Sequence, residues 1–183
     1  MAAPTAANVR VGLPLATGAV LAGPAGTAIP VDATTTPNVA LLATGYIGED
    51  GVTQTISTDT TNIVAWGGDT VRVIQTSHDV TFKLTFLETN VAVLKEVYGE
   101  DNVTDTTGEF AVLINSQPLP NRVYVLEIKD GDRRGRIAIP DGQITERGDV
   151  VYVHTDAVKY EVTITAYPDA SGNKAYIYWD DVV

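Results

Sequence analysis

The stretch DTTNIVAWGGDTVRVI at residues 59–74, followed by TFKLTFLETN at residues 81–90, decides the predicted fold. It opens with a polar, glycine-containing segment from Asp59 to Asp69, which we interpret as a loop. Two strands are predicted after it, at Val71 to Ser77 and at Val80 to Leu87. In the second strand apolar residues alternate with polar ones. This period of two indicates a half-buried antiparallel strand.

One short helix is predicted directly after these strands, near residues 90–98. Asn90 can cap its first turn, apolar residues recur at helical spacing from Val91 to Tyr98, and Gly99 can end it. A helix of two to three turns is not stable alone in water. We therefore expect it to pack against the flank of the sheet.

Short strands separated by turn residues account for most of the remaining chain. Turn signals occur at Glu49-Asp50-Gly51, Asp130-Gly131 and Asp141-Gly142. Further strands are predicted at Leu41 to Gly48, Val52 to Ser57, Glu109 to Ile114, Arg122 to Ile128, Gly135 to Ile139, Val150 to His154, Val158 to Tyr167 and Lys174 to Trp179. Together they predict a mainly β fold for residues 39–183, a single β-sandwich or split barrel with one flanking helix.

The first 38 residues differ from the rest in composition. They carry little charge and are rich in Ala, Gly, Pro and Thr, and the regular prolines exclude a long helix. A disordered tail is one interpretation. The apolar residues Val20, Leu21 and Ile29 favour the other, an extended N-terminal arm over residues 1–38 that lies on a neighbouring subunit.

The charge balance argues against a nucleic-acid-binding protein. The formal net charge of the 183-residue chain is −11, whereas binding to a phosphate backbone needs a basic surface. A surplus of negative charge also keeps many proteins dispersed, so acidity alone does not define a function. The chain has no cysteine, no apolar run long enough to span a membrane and no secretion signal at its N-terminus. We expect synthesis in a cytoplasm.

No combination of residues predicts catalysis or metal binding. Ser77-His78-Asp79 contains the residue types of a hydrolase triad, but consecutive residues on a strand point to opposite faces. The segment from Asp130 to Ile137 has a superficial similarity to a calcium loop, yet an arginine stands at a ligand position. We therefore predict no enzyme, no metal and no cofactor.

Two residue clusters remain as candidate binding surfaces. Arg133, Arg134 and Arg136 could pair with carboxylates of the same or an adjacent subunit. Tyr176 and Tyr178 alternate with more apolar neighbours, so an accessible tyrosine face could contact another protein or a sugar. The second possibility supports an alternative function, a β-sandwich binding module such as a decoration or carbohydrate-binding domain.

The segments quoted above, in their order, resemble the major tail tube proteins of long-tailed, non-contractile bacteriophages, especially those that infect actinobacteria. The resemblance is strongest in four segments, at residues 17–30, 45–52, 59–90 and 97–99. It implies a structural virion protein of the phage tail that catalyses nothing. It also implies that six copies form a ring, that rings stack helically, and that their strands line a hollow tube.

The resemblance assigns roles to particular regions and partners. The arm and the segment from Glu49 to Asp69 would contact an adjacent ring, and strands between Val71 and Leu87 would line the tube. The expected partners are further copies of the chain, a tape-measure protein, a tail terminator and distal tail proteins, with DNA passing transiently through the lumen and no membrane involved. A further C-terminal immunoglobulin-like module is not expected. The candidate subunit or ring contacts are Val20, Leu21, Ile29, Glu49, Asp50, Trp66, Arg133, Arg134, Arg136, Tyr176 and Tyr178.

Overall fold

Eleven strands and one α-helix form in the part of the chain that the computed structural model describes, residues 5, 8–15 and 18–180. The predicted arm is therefore only partly covered, because residues 1–4, 6, 7, 16 and 17 lie outside the described residues. The elements are β1 (Leu13–Pro14), β2 (Val20–Pro24), β3 (Leu42–Ala43), β4 (Ile47–Val64), β5 (Thr70–Phe86), α1 (Val91–Tyr98), β6 (Val103–Thr106), β7 (Glu109–Val112), β8 (Arg122–Asp130), β9 (Arg133–Arg147), β10 (Tyr160–Ala166) and β11 (Tyr176–Trp179). The prediction of a mainly β fold with one helix is confirmed.

Nine strands form one antiparallel sheet, in the order β3-β2-β8-β9-β10-β5-β4, with β1 paired to β8 and β11 paired to β9. The sheet turns along β9. The first part of β9 pairs with β8 and β11, and its last part, from Gly142 to Arg147, pairs with β10. The two halves of the sheet therefore share one strand and can face each other, as in a split barrel.

The main core lies between the two halves of the sheet. Phe82 and Phe86 of β5 and Tyr124 and Leu126 of β8 are buried in one cluster, together with apolar residues of β10. The predicted alternation along β5 is confirmed at this end, because Val80, Phe82, Leu84 and Phe86 are buried and the residues between them are not. Burial of such side chains contributes about 1.5–3 kcal/mol each.

The flanking helix forms where the sequence predicts it. The Asn90 side chain accepts a hydrogen bond from the Val93 amide at 2.8 Å, and Gly99 ends the helix with a φ of 98°. Val93, Leu94 and Val97 are buried against the main core. The helix is thus held by its apolar face and its caps, as expected for only eight residues.

Several local predictions are wrong. The two separate strands predicted at residues 71–77 and 80–87 are one continuous strand, β5. β4 continues through the predicted turn at residues 49–51 and through most of the predicted loop at residues 59–69, so that only residues 65–69 turn. β9 continues through Asp141-Gly142, where its register with β8 shifts instead. Residues 150–154 form no strand. In β4 and β9 the glycines mark irregularities inside paired strands, which is a common position for glycine in a sheet.

A second layer covers the outer face of β8 and β9. Val123, Val125 and Ala138 form a second buried cluster with Leu41. The covering segment, residues 25–41, runs without strand or helix and is named the strap below. Because β8 is buried on both faces, its residues 123–126 form a continuous apolar run and not an alternation.

Candidate assembly surface

The most prominent surface feature is the far half of the hairpin that β4 and β5 form. Beyond the pair Ile56–Val80, every residue from 57 to 79 is exposed except the half-buried Ser77. Eight β4 residues extend in this way, which corresponds to roughly 25 Å of strand. We name residues 57–79 the projecting hairpin. A two-stranded ribbon exposed on both faces is marginally stable alone, so it is suited to contact another molecule.

The tip of the projecting hairpin presents a tryptophan. The Gly68 amide donates to the Ala65 carbonyl at 2.9 Å, and the Ala65 amide donates to the Asp69 carbonyl at 2.8 Å. Gly68 has a φ of 90°, a conformation that favours glycine. This turn holds Trp66 away from the protein, with a relative exposure of 106%.

Two irregularities of β5 shape the projecting hairpin. Asp59 pairs with Ser77 and Thr60 with Gln75, so Thr76 has no opposite residue in β4. A second register shift follows between Ile63 and Val64. Such bulges increase the local right-handed twist of a ribbon.

Apolar side chains are exposed along the hairpin, including its tip and its base. Single exposed apolar residues are ordinary, but several on one ribbon are typical of an interaction surface. They are Ile56, Ile63, Val64, Trp66, Val71, Val73 and Ile74.

The hairpin also provides an open sheet edge. β4 ends the strand order, and its outer side pairs with no other strand among the described residues. An open edge of 18 residues is a liability for a protein that stays single, because it can pair with any extended chain. The edge is therefore suited to pairing with a strand of another subunit.

The base of the hairpin is fixed to the domain by a lysine. Lys174 donates a hydrogen bond to the His78 carbonyl and lies 3.7 Å from an Asp79 carboxylate oxygen. In the same region Ser77 donates to Asp59 at 3.0 Å, so the serine and histidine form no catalytic relay. The contacts of Lys174 with His78 and Asp79 therefore hold the hairpin at its base.

Glu49 and Asp50 are exposed at the other end of β4. With Asp149, Asp156 and Glu161 they line a cavity of about 880 Å³, named the acidic groove, in which Lys159 is the one cation among the described lining residues. Lys159 pairs with Asp156 at 2.8 Å, and a hydrogen bond from Lys159 is the main reason that the pKa of Asp156 is lowered. The local field here is negative.

Arg136 lies inside the subunit. Its side chain is 1% exposed, its Nε donates to a Glu127 carboxylate oxygen at 2.7 Å, and its Nη1 donates to the carbonyls of Asp32 and Thr35 at 2.6 and 2.7 Å. It therefore holds the strap against the sheet and is not available to a neighbouring subunit. Of the other two predicted arginines, Arg133 is half-buried and Arg134 is exposed.

The predicted arm contacts lie mostly within the subunit. Val20 is completely buried in the main core, and Leu21 and Ile29 are half-buried against the second cluster. β2 pairs with β8 over five residues, so this part of the arm belongs to the subunit's own sheet. Further towards the N-terminus, Val9 and Val11 are 69% and 52% exposed.

The two tyrosines face inwards. Tyr176 and Tyr178 stack on each other with ring centroids 6.3 Å apart and pack against the second cluster, whereas Ile177 and Trp179 are 47% and 44% exposed. The Tyr176 hydroxyl also donates to Asp169 at 2.6 Å. The predicted accessible tyrosine face is thus the less accessible one, which removes the glycan platform on which the binding-module alternative rests.

A buried carboxylate between the helix and the sheet has a strongly perturbed pKa. Glu96 is 5% exposed, accepts a hydrogen bond from the Tyr124 hydroxyl at 3.1 Å and lies 2.9 Å from Arg122 Nε. Burial raises its pKa to about 7, and Arg122 opposes this increase only in part. Its hydrogen-bond and ion-pair partners, Tyr124 and Arg122, belong to the fold itself, so we interpret the group as structural.

The described residues contain no metal site or membrane helix that would indicate another function. No three His, Cys, Asp or Glu side chains among them come together in an arrangement that could hold a metal ion. None of the helices formed by these residues is long and apolar enough to cross a membrane.

Sequence reasoning missed several exposed apolar residues outside the hairpin. They lie in two segments, after β7 and between β9 and β10, where no periodicity identifies a surface. In the sequence these residues belong to short apolar runs, which predict buried strands and not an exposed surface. The residues are Leu113, Ile114, Val151, Tyr152 and Val153.

Comparison with models of protein families gives one match, which covers nearly the whole chain. A family model described as phage tail tube protein matches residues 3–182. A comparison with curated protein sequences gives no match.

Three solved structures are similar in shape at low sequence identity. The anti-feeding prophage cap, a tube-terminating cap, has a TM-score of 0.45 at 10% identity, covering 94% of this chain and 96% of that one. The sheath/tube terminator of the extracellular contractile injection system PVC, in the extended state, has a TM-score of 0.47 at 9% identity, covering 91% and 98%. A chain of the PVC sheath–tube complex in the extended state has a TM-score of 0.47 at 9% identity, covering 96% and 98%.

Proposed function

Because the chain belongs to the phage tail tube protein family, we propose that six copies form a ring and that rings stack helically into the hollow tube of a long, non-contractile tail. The protein is a structural component of the phage tail. The proposal concerns the number of copies, the stacking and the passage of DNA through the lumen.

The observation that carries the proposal is the projecting hairpin with its open edge. A ribbon of 57–79 that is exposed on both faces and bears apolar side chains has no role inside a single subunit. Pairing of the β4 edge with a neighbour would close the sheet between subunits, and closure around a ring removes the exposed edges. Contact with the next ring would order the projecting hairpin beyond this edge.

Charge supports a conduit that does not retain DNA. Each copy carries a formal net charge of −11, so a ring of copies repels phosphate unless its lumen is locally basic. We infer that DNA passes through transiently and without specific contacts. The proposal includes no catalytic activity and no cofactor.

The remaining contacts concern the two ends of the tube and its interior. We infer that the segment before β2, with Val9, Val11 and Leu13 exposed, reaches an adjacent ring. A tape-measure protein would occupy the lumen during assembly, and terminator and distal tail proteins would bind the two ends. Assembly would follow synthesis in the host cytoplasm.

Negative-stain electron microscopy of the purified protein at rising concentration tests the proposal. We expect rings first and hollow tubes at higher concentration. A variant in which residues 57–79 are replaced by an Asn-Gly turn is the matched control, since it keeps the buried pairs from Val80 to Phe86 and should fold without forming tubes. Single subunits of the unaltered protein at every concentration would contradict the proposal.

A further inference from the structure

The Trp66 side chain has no role within the subunit. It is 106% exposed at the end of a turn that the structure builds specifically, whereas the other tryptophan, Trp179, lies over Gly135 and close to Arg10. A tryptophan buries about 150–250 Å² when it is enclosed, and aromatic anchors of this kind dominate protein interfaces. The tip therefore needs a receiving surface on another molecule.

A cleft of suitable size lies at the end of the β4–β5 strand pair that is opposite to the projecting hairpin, at the base of β4. It has a volume of about 330 Å³ and apolar walls from Pro14, Leu15, Ala19 and Ile47. Tyr46, which is 76% exposed, also lines this cleft. We name this feature the base cleft. It offers the aliphatic walls and the aromatic surface that an indole ring prefers.

The base cleft also offers a hydrogen-bond acceptor. The Glu88 carboxylate lines it, and its two oxygens accept hydrogen bonds from the Tyr46 amide and the Asn90 side chain at 2.8 Å each. Gly45 leaves the space for this carboxylate, because a Cβ at that position would stand 2.4 Å from it. A carboxylate has further lone pairs, and the indole N–H is a donor that needs one acceptor.

The tip and the base cleft lie at opposite ends of one strand pair. Ile47 of the cleft pairs with Phe86 at the end of β5, and the tip precedes Thr70 at its beginning. The length of β5 separates them by roughly 50 Å. A contact between two different surfaces at opposite ends of a subunit is head-to-tail, and such a contact repeats without limit when it does not close on itself.

A second pair of groups fits the same contact. Arg72 lies opposite Ile63 near the tip, is exposed, and has no ion-pair partner among the residues that the structure describes. Glu49 and Asp50 are exposed and follow Ile47, a lining residue of the base cleft, by two and three residues. Asp69 also lies at the tip, and Arg72 is the one Lys or Arg in the sequence of the projecting hairpin that could pair with carboxylates of another copy.

We propose that the Trp66 tip of one copy inserts into the base cleft of a second copy in the next ring, with Arg72 facing Glu49 and Asp50. This rests on the proposed function, because it names the receiving surface for the hairpin in the stacked tube. The acidic groove is the larger cavity, but five carboxylates line it, and the single N–H of an indole can pair with only one of them. The base cleft is therefore the receiver.

Assembly of Trp66→Ala tests the anchor. We expect rings of normal size, a thermal unfolding midpoint equal to that of the unaltered protein, and a concentration for tube formation raised about 30-fold or more. Val39→Ala, which truncates a 93% exposed side chain in another part of the chain, is the matched control and should leave that concentration unchanged. Equal tube formation by Trp66→Ala would overturn the inference while leaving the proposed function intact.

Fluorescence identifies the environment of the tip directly. In Trp179→Phe, Trp66 is the remaining tryptophan, and its emission should shift to shorter wavelength as tubes form. Emission that stays at the wavelength of a water-exposed indole in assembled tubes would overturn the inference. Failure of the unaltered protein to assemble at all would count against the proposed function, and the inference would fall with it.

A mixing experiment and a charge exchange test the direction and the partners of the contact. Trp66→Ala rings keep the cleft, and Tyr46→Lys rings keep the tip, so neither should stack alone but a mixture should give pairs of rings. Arg72→Glu should weaken stacking about two- to five-fold, and adding Glu49→Arg and Asp50→Arg to the same chain should restore it. A mixture without paired rings, or no restoration, would contradict the assigned surfaces.

Discussion

Replacing Glu96 by glutamine should change how stability depends on pH, by an amount that the structure allows us to estimate. Glu96 is enclosed between the helix and the sheet, and burial is the main cause that raises its pKa from 4.5 to about 7. Arg122 lies close, but its Nε has no aligned hydrogen-bond acceptor among the described residues. The ion pair therefore offsets only part of the desolvation cost.

The direction of this pH dependence follows from the pH at which Glu96 loses its proton in the unfolded chain and in the folded protein. The unfolded chain releases it near pH 4.5, and the folded protein keeps it up to about pH 7. The contribution of the protonated Glu96 to the unfolding free energy is thus fully present below pH 4.5 and is lost as the pH rises to about 7. At about 1.4 kcal/mol for each pH unit between the two values, the loss is about 3 kcal/mol.

Urea unfolding at a series of pH values, below the concentration of assembly, measures this contribution. The difference in unfolding free energy between the unaltered protein and Glu96→Gln should change by about 3 kcal/mol between about pH 4 and pH 8. Only this difference is informative, because carboxylates with a lowered pKa, such as Asp32, give the opposite slope. Glu109→Gln, at an exposed position, is the control. A difference that stays constant with pH would refute the reasoning.

Four further variants test the supports of the fold. Arg136→Ala leaves Glu127 buried without its partner and should lower the unfolding free energy by about 3–5 kcal/mol in urea titrations. The double variant Arg136→Met with Glu127→Leu should unfold at nearly unchanged urea concentration, yet be cleaved faster within the strap in limited proteolysis. Asn90→Ala removes the cap on the Val93 amide and should cost about 1 kcal/mol, visible as a lower thermal midpoint. Gly142→Ala places a Cβ 2.9 Å from the Tyr124 ring and should lower the unfolding free energy by about 1–3 kcal/mol, visible in the same assay. An unchanged thermal midpoint would show that the core side chains can move to accommodate the added methyl group.

The parts of the fold predicted correctly are those in which local chemistry and packing agree. Asn90 and Gly99 predicted the two ends of α1, and the alternation from Val80 to Phe86 predicted the one stretch of β5 that has a buried and an exposed face. In both cases a residue's own properties determine its position.

Residues 59–64 of the projecting hairpin are predicted as part of a loop, although they form a strand, for a physical reason. Residues 57–64 are exposed on both faces, so they need no apolar alternation to form a strand, and pairing with β5 satisfies their backbone groups. The position of Arg136 was missed for another reason. Its burial depends on Glu127 and on carbonyls of the strap, more than a hundred residues away in sequence. Long-range contacts of this kind leave no local pattern.

The candidate surface could be predicted only in part. Trp66 was identified by its position in a Gly-rich turn, and the structure places it at a tip. The base cleft could not be predicted, because Pro14, Tyr46 and Glu88 meet only after the sheet has formed.

A helical reconstruction of assembled tubes by cryo-electron microscopy tests the central claim most directly. The account predicts a hollow tube of stacked six-membered rings, with residues 57–79 of each copy lying on the next ring and Trp66 enclosed between copies. A solid filament, or a tube in which the projecting hairpins extend freely into solvent, would contradict it.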